Sequence, residues 1–446
     1  MRDSQQSNGA YSTVAPFRNS RIGAGAWADA GIIVPWKTYL MYGDKAILRE
    51  NFASMEKYMN WLATQTEDGY KYVGGATNYG DWVSYVPTDK RYVSVAYYAY
   101  DALLMTKICR ILSPSPNIGT YARKAAEYET LYKNICDEFH SRYMTPTVKE
   151  TSQTAYLLAL QFDLLNGDAE VADFKKRLSQ AIRDNGYKLN TGFVGTGILN
   201  TTLSRFGLTD YAYDLLLQRE NPSWLYSVDQ GATTIWERWN SYTLDSGFGE
   251  ASMNSFNHYA YGAVGEWMYR YMVGIEPDES VAGFKHILLC PHFDCRTTRP
   301  KEQPLITNVS GTFRSRYGII AAAWKRSDEK TFSYDCIVPP NTTATLRLPA
   351  ESEYQTMLES GIPARQAEGV KYMGFEDGHL VYELGSGIYH FTTDGTVSVG
   401  SLDKADDSGQ SPVYDLGGRM RQFSTESLSA LPKGIYIMTG RKVLSK

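Results

Sequence analysis

A chain of 446 residues that is 43% hydrophobic is long enough for about two to four domains with buried cores, which excludes wholesale disorder. Its formal net charge is −4, with 45 basic and 49 acidic residues spread evenly; this excludes the electrostatic footprint of a nucleic-acid partner, and no apolar run reaches the length of a membrane span. Five cysteines without a CxxC pair or clustered histidines signal neither a zinc site nor a disulfide framework, and no cofactor is called for.

From Asp29 to about Gly274 the apolar residues recur at three- and four-residue spacing, as in AILRENFASMEKYMNWLATQ (46–65) and VSVAYYAYDALLMTKICRIL (93–112). Further helices are predicted over 119–139, 151–165, 169–183, 192–206, 208–218 and 256–273, joined by loops bearing Gly, Pro and Asn. About ten helices in a row with no interleaved strand pattern argue for an all-α domain over residues 1–275. After Gly274 the pattern changes. Segments such as GTFRSRYGIIAAAWKR, TFSYDCIVPP and TATLRLPA are short, rich in β-branched and aromatic residues, and separated by turn residues. They predict an all-β sandwich over 276–395. VSVGSLDKADDSGQSP (397–412) reads as a linker, and strand-like VYDL, GIYIM and KVL within 396–446 form a short tail. Cys290 and Cys295 are close enough in sequence for a small-loop disulfide, but the odd total favours buried thiols.

The composition carries one further signal: 34 Tyr, 16 Phe and 9 Trp. Tyr and Trp join a flat apolar face to a polar edge, which suits stacking on a sugar ring while bonding its hydroxyls, although a large aromatic core would give the same count. The stretch GATTIWERW (231–239) sets Glu237 between Trp236 and Trp239. A carboxylate walled by indoles loses hydration and becomes a stronger base near neutral pH, whereas an exposed Glu237 paired with Arg238 would leave both tryptophans in the core.

Several motifs together resemble the inverting α-L-rhamnosidases of glycoside hydrolase family 78. They are AWADAGIIVPWKTYLMYGD (26–44), YGDWV (79–83), TSQTAYLLAL (151–160), TGFVGTGIL (191–199), NPSWLYSVDQGATTIWERW (221–239) and MNSFNHYAYGAVGEWMYR (253–270), in the family's order. The resemblance implies a multidomain chain: an (α/α)6 barrel lacking its first helices, then an all-β C-terminal sandwich. It also implies general acid/base hydrolysis of a rhamnose-containing oligosaccharide or glycoside by two carboxyl groups about 6.5–9.5 Å apart. It makes Glu237 the general base and gives His258 a contact with rhamnose. Trp27, Asp29, Trp82, Trp236 and Trp239 become substrate-binding candidates, with Asp81 and Asp229 lesser ones. Asp29 is equally placed to cap the helix that follows it, and His258 could be a core histidine. The family's general acid lies in an Asp-x-Pro-x-Arg-x-Glu motif that this sequence does not contain. The expectation is a C-terminal portion of a longer enzyme, weakly active or inactive alone. The ending VYDLGGR…GIYIMTGRKVLSK resembles sorting-type modules of secreted Bacteroidota proteins, which implies export. Two competing readings are another (α/α)6 sugar enzyme, a uronide hydrolase or lyase, and a non-catalytic carbohydrate-binding module. A uronide enzyme needs a basic cluster to hold the substrate carboxylate, and only Arg238 adjoins Glu237 in sequence.

Overall fold

The computed structural model describes residues 1–16, 22–23, 25–72, 79–115, 118–145, 150–300, 303–328 and 330–393, and the tail strands within 413–445. The chain forms two compact units. Residues 1–39, 44–265 and 297–304 make the first, and residues 40–43, 266–296 and 305–446 the second.

The first unit is helical: α1 (Ala30–Tyr42), α2 (Lys45–Thr64), α3 (Lys90–Leu112), α4 (Thr120–Tyr143), α5 (Gln153–Gln161), α6 (Gly167–Asp184), α7 (Phe193–Arg205), α8 (Thr209–Leu216) and α9 (Trp224–Asp229). Two kinds of helix alternate. In α3 every residue from Tyr92 to Ala99 is buried, and in α5 every residue from Gln153 to Leu160. Helices apolar all round must be enclosed by neighbours. By contrast α4 buries only a stripe at Ala125, Tyr128, Ile135, Phe139 and Tyr143, and α6 only Phe174, Leu178, Ser179 and Ile182. The contacts follow: α3 packs on α4 and α5, α5 on α6 and α7, and α7 on α8. Enclosed helices therefore neighbour one another and one-sided helices back them, which is the logic of paired hairpins.

Four helix starts are fixed by side-chain caps. Asp44 accepts from Ala46 N, Asp89 from Arg91 N and Tyr92 N, Ser152 from Ala155 N, and Ser223 from Tyr226 N. Helices α4, α6, α7 and α8 receive no such bond from their own N-cap residue, and that of α7 is Gly192, which has no side chain to offer.

The helix predicted over 256–273 is corrected. Residues 255–258 form no regular element, a 3-10 turn covers Ala260–Ala263, and only α10 (Val264–Trp267) is α-helical before a π turn over Met268–Val273. The cause is backbone pairing: His258 N donates to Ile235 O and Glu237 N to Ser255 O, which commits these amides elsewhere. Asn254, Ser255 and Asn257 are also weak helix formers.

In the second unit, a five-stranded sheet has the order Val370–Glu376, His379–Leu384, Thr343–Pro349, His286–Leu289, Ile275–Pro277. A six-stranded sheet has the order Ile362–Pro363, Met357–Glu359, Gly387–Thr393, Phe332–Val338, Gly318–Arg326, Asn308–Ser315. Among the described residues only the His286–Leu289 and Thr343–Pro349 pair is parallel. Ile287, Leu346, Leu384 and Tyr382 from one sheet and Trp324, Tyr334 and Phe391 from the other share one buried core. The tail strands Val413–Asp415, Met420–Arg421, Gly434–Met438 and Arg441–Ser445 form a separate four-stranded sheet, and the linker residues 397–412 lie outside the described residues. No disulfide joins Cys290 to Cys295, and Cys295 is exposed rather than buried.

Candidate active site

Glu237 and His258 lie on two irregular segments of the first unit that pair through backbone hydrogen bonds. Glu237 N donates to Ser255 O at 2.9 Å, Ser255 N donates back to Glu237 Oε2 at 2.8 Å, and His258 N donates to Ile235 O at 2.8 Å. This ladder holds the half-buried Glu237 carboxylate by one oxygen and leaves Oε1 available to a proton. The indoles are not walls that dry it. Trp236 and Trp239 are 7% and 3% exposed and turn inward. Trp236 packs edge-on to Phe256, while Trp239 stacks on Tyr261 at 3.8 Å and donates its Nε1–H to Thr191 O. Their burial anchors the segment that carries Glu237. Both also border a cavity of about 240 Å³ shared with Trp224, Arg238 and Tyr261. Within it, the Tyr261 hydroxyl and Arg238 Nε are buried without a hydrogen-bond partner.

The half-buried His258 ring stacks on Phe193 at 4.9 Å and on Tyr259 at 5.2 Å. Its Nδ1 accepts from Ala260 N at 3.2 Å, which makes Nε2–H the donor of the neutral ring. Phe193, the first residue of α7, connects this pair to Trp82, because Phe193 N donates to Trp82 O at 3.0 Å. Rings continue from there: Trp82 meets Tyr79 at 5.6 Å, and Tyr79 meets Trp27 at 4.9 Å. All three are half-buried, so part of each ring remains accessible. The structure thus brings Glu237, His258, Trp82 and Trp27 into one connected set, with Trp236 and Trp239 behind it.

Asp81 does what Gly192 cannot. Its Oδ2 accepts from Gly192 N at 2.8 Å and from Thr154 Oγ1 at 2.5 Å, and its Oδ1 accepts from Val194 N at 2.9 Å and Gly195 N at 3.1 Å. Asp81 therefore caps α7 from a distant loop, where a negative charge also meets the positive end of the helix dipole. Burial pushes its pKa up, and the four donors pull it back. Glycine at 192 is required by the close approach, because an added Cβ would lie 2.1 Å from Trp82 O and 2.7 Å from Ser84 N. Tyr85 N and Val86 N complete the seam on Asn190 O.

Asp29 is 1% exposed and does not cap α1 through its side chain. Its Oδ2 accepts from Ala26 N at 2.5 Å and its Oδ1 from Tyr58 Oη at 2.9 Å. It thereby closes a turn in which Ala26 has φ +71°, immediately before Trp27. Asp229 pairs with Arg219 at 2.5 Å. Sequence reasoning did not single out Tyr79, Phe193 or Ser255. Tyr79 and Phe193 sat inside quoted motifs as the aromatic residues of glycine-bearing turns, whereas an amide such as that of Ser255 leaves no trace in sequence.

Among the described residues no group of three or more His, Cys, Asp or Glu could hold a metal ion, and no helix is long and apolar enough to cross a membrane.

Residues 1–272 match the model of the bacterial alpha-L-rhamnosidase six-hairpin glycosidase domain, and residues 274–362 that of the bacterial alpha-L-rhamnosidase C-terminal domain. An alpha-L-rhamnosidase of Formosa agariphila is 37% identical over 365 residues, covering 79% of this chain and 37% of that protein. One of Streptomyces avermitilis is 37% identical over 396 residues, covering 88% and 35%. The crystal structure of the S. avermitilis alpha-L-rhamnosidase complexed with L-rhamnose superposes with a TM-score of 0.77 at 35% identity, over 88% of this chain and 35% of that one. Native rhamnosidase from Aspergillus terreus gives 0.74 at 28% identity, over 89% and 42%. The chain spans about a third of the length of the curated relatives it matches. With helical hairpins followed by a β-sandwich, and with both domain models matched in order, the chain belongs to the bacterial alpha-L-rhamnosidase family.

Proposed function

We propose that this chain carries the base side of an inverting α-L-rhamnosidase site, with Glu237 as general base. The supporting observation is the ladder that fixes Glu237 Oε2 on Ser255 N and leaves Oε1 for water. Water attacks the anomeric carbon, its proton passes to Glu237 Oε1, and the glycosidic oxygen leaves on the opposite face, where inversion requires a second carboxylic acid about 6.5–9.5 Å away. His258 Nε2–H donates to a sugar hydroxyl, and Trp27, Tyr79 and Trp82 offer ring faces to the apolar side of a deoxy-sugar.

A dinitrophenolate leaving group needs no acid assistance, so turnover of a dinitrophenyl α-L-rhamnoside reports the base alone. The full chain should release β-L-rhamnose first, visible by NMR, and Glu237→Gln should lower turnover by roughly 10²–10⁴-fold while calorimetry finds L-rhamnose binding retained. Unchanged turnover in that variant refutes the assignment. We also propose export of the protein, supported by the GR and GIYI elements of the tail sequence. Cell fractionation that finds the protein only in the cytoplasm would refute it.

A further inference from the structure

Asp101 lies in the middle of α3, fully buried, and neither carboxyl oxygen receives a hydrogen bond from an N–H or hydroxyl group. A bare carboxylate cannot be held there, because nothing replaces its lost water. A neutral carboxyl can, if its own O–H finds an acceptor. The group in hydrogen-bond contact with it is the carboxyl of Asp29, which already has donors in Ala26 N and the Tyr58 hydroxyl. Asp29 is thus equipped to carry charge and Asp101 is not. Asp81 provides the contrast within the same unit, since four donors occupy both of its oxygens and leave no place for a proton.

We propose that Asp101 is a positioning residue that keeps a proton, donates it to Asp29, and so locks the Ala26–Asp29 turn that presents Trp27. The lock matters because Ala26 sits in the left-handed region at φ +71°, a conformation that an L-residue keeps only when its surroundings enforce it. The consequence for sugar binding rests on the reading of Trp27 as part of the pocket. Burial raises Asp101 well above the ordinary carboxylate value, and the Asp29 charge adds to that. Asp29 is also raised by burial, against the bonds from Asp101, Tyr58 and Ala26. The titratable groups facing the pair are Tyr58 of α2, Tyr11 of the N-terminal segment, and Tyr97 and Tyr98 of α3 itself; Asp81 acts on Tyr97 from the far side. Burial raises the phenols of Tyr11, Tyr97 and Tyr98, so they remain neutral while the pair titrates.

A carboxyl whose pKa rises on folding takes up a proton as the chain folds, and its stabilising effect falls as pH climbs from about 4 through the folded value. Refolding the full chain at pH 6 in weakly buffered solution should therefore take up about one proton more in wild type than in Asp101→Asn, whose amide donates without titrating. L-rhamnose affinity, measured by calorimetry, should be retained in Asp101→Asn and fall roughly tenfold in Asp101→Leu, which has no donor. If the leucine variant does not fold, the proton count of the asparagine variant still decides. Equal proton counts overturn the shared proton, and equal affinity of folded leucine and asparagine variants overturns the positioning role. Failure of the pocket reading itself looks different: Trp27→Ala would bind L-rhamnose like wild type, and the link from Asp101 to the sugar would fall while the proton count stood.

Discussion

Replacing Asp81 by alanine removes one carboxylate and strands four donors, three of them main-chain amides at the start of α7. Thr154 can turn its hydroxyl elsewhere, but Gly192 N, Val194 N and Gly195 N cannot, and Asp81 is buried, so water does not replace it at once. A buried donor left unsatisfied costs about 1–3 kcal/mol, so three give about 3–6 kcal/mol after partial relaxation. Against a total stability of roughly 5–15 kcal/mol, that is a large fraction. The loop is affected too, because Trp82 O is fastened to Phe193 N at the same helix end. Urea unfolding of Asp81→Ala, followed by far-UV circular dichroism so that the helical unit is seen, should shift its midpoint strongly downward. Weaker L-rhamnose binding should accompany the shift under conditions where the variant is still folded. Asp81→Asn keeps one acceptor oxygen and should fall between the two. A loss below about 1 kcal/mol with unchanged sugar affinity would refute the assignment of Asp81 as the distant cap.

Gly192→Ala places a methyl group 2.1 Å from Trp82 O and should cost about 1–3 kcal/mol through displacement of the loop, with weaker rhamnose binding measured by calorimetry. In the β-sandwich, burial lowers the His292 pKa to about 4. Its contribution is therefore fully present above about pH 6.5 and is lost as pH falls through about 4, a change of about 3 kcal/mol. Thermal unfolding of His292→Gln should show a flatter acid limb than wild type between those values. Asp294 and Arg296 form an ion pair whose side chains are both 0% exposed, so Arg296→Leu leaves a buried charge and should lower sandwich stability by about 3–5 kcal/mol. The double variant with Asp294→Asn should recover much of that in the same unfolding measurement.

The change from helical to strand periodicity near Gly274 was legible because it rests on side-chain spacing alone, and α2, α4 and α6 show why: each buries one stripe. The segment before Gly274 was not, because what breaks the helix at 255–258 is pairing with Ile235 and Glu237, a partner about twenty residues away. Glu237 and His258 stood out as residue types in ordered motifs, but the direction of Trp236 and Trp239 did not. Whether an indole beside a carboxylate faces it or turns away depends on Phe256, Tyr261 and Thr191. The roles of Asp29 and Asp81 were similarly hidden. Asp29 looked like a cap by position and instead holds the turn behind it, while the capping falls to Asp81, whose helix is more than a hundred residues downstream. Asp101 drew no notice, since an aspartate amid apolar helix residues gives no hint of what it touches.

The seam between residues 81–86 and 190–195 has a kinetic corollary. A loop stitched by its own amides to a helix end cannot swing as a hinged flap, so Trp82 would already be in place for the sugar proposed above. Hydrogen exchange at the amides of 192–195 should then be slow with or without ligand, and arrival of the monosaccharide should follow simple one-step association rather than a gated approach.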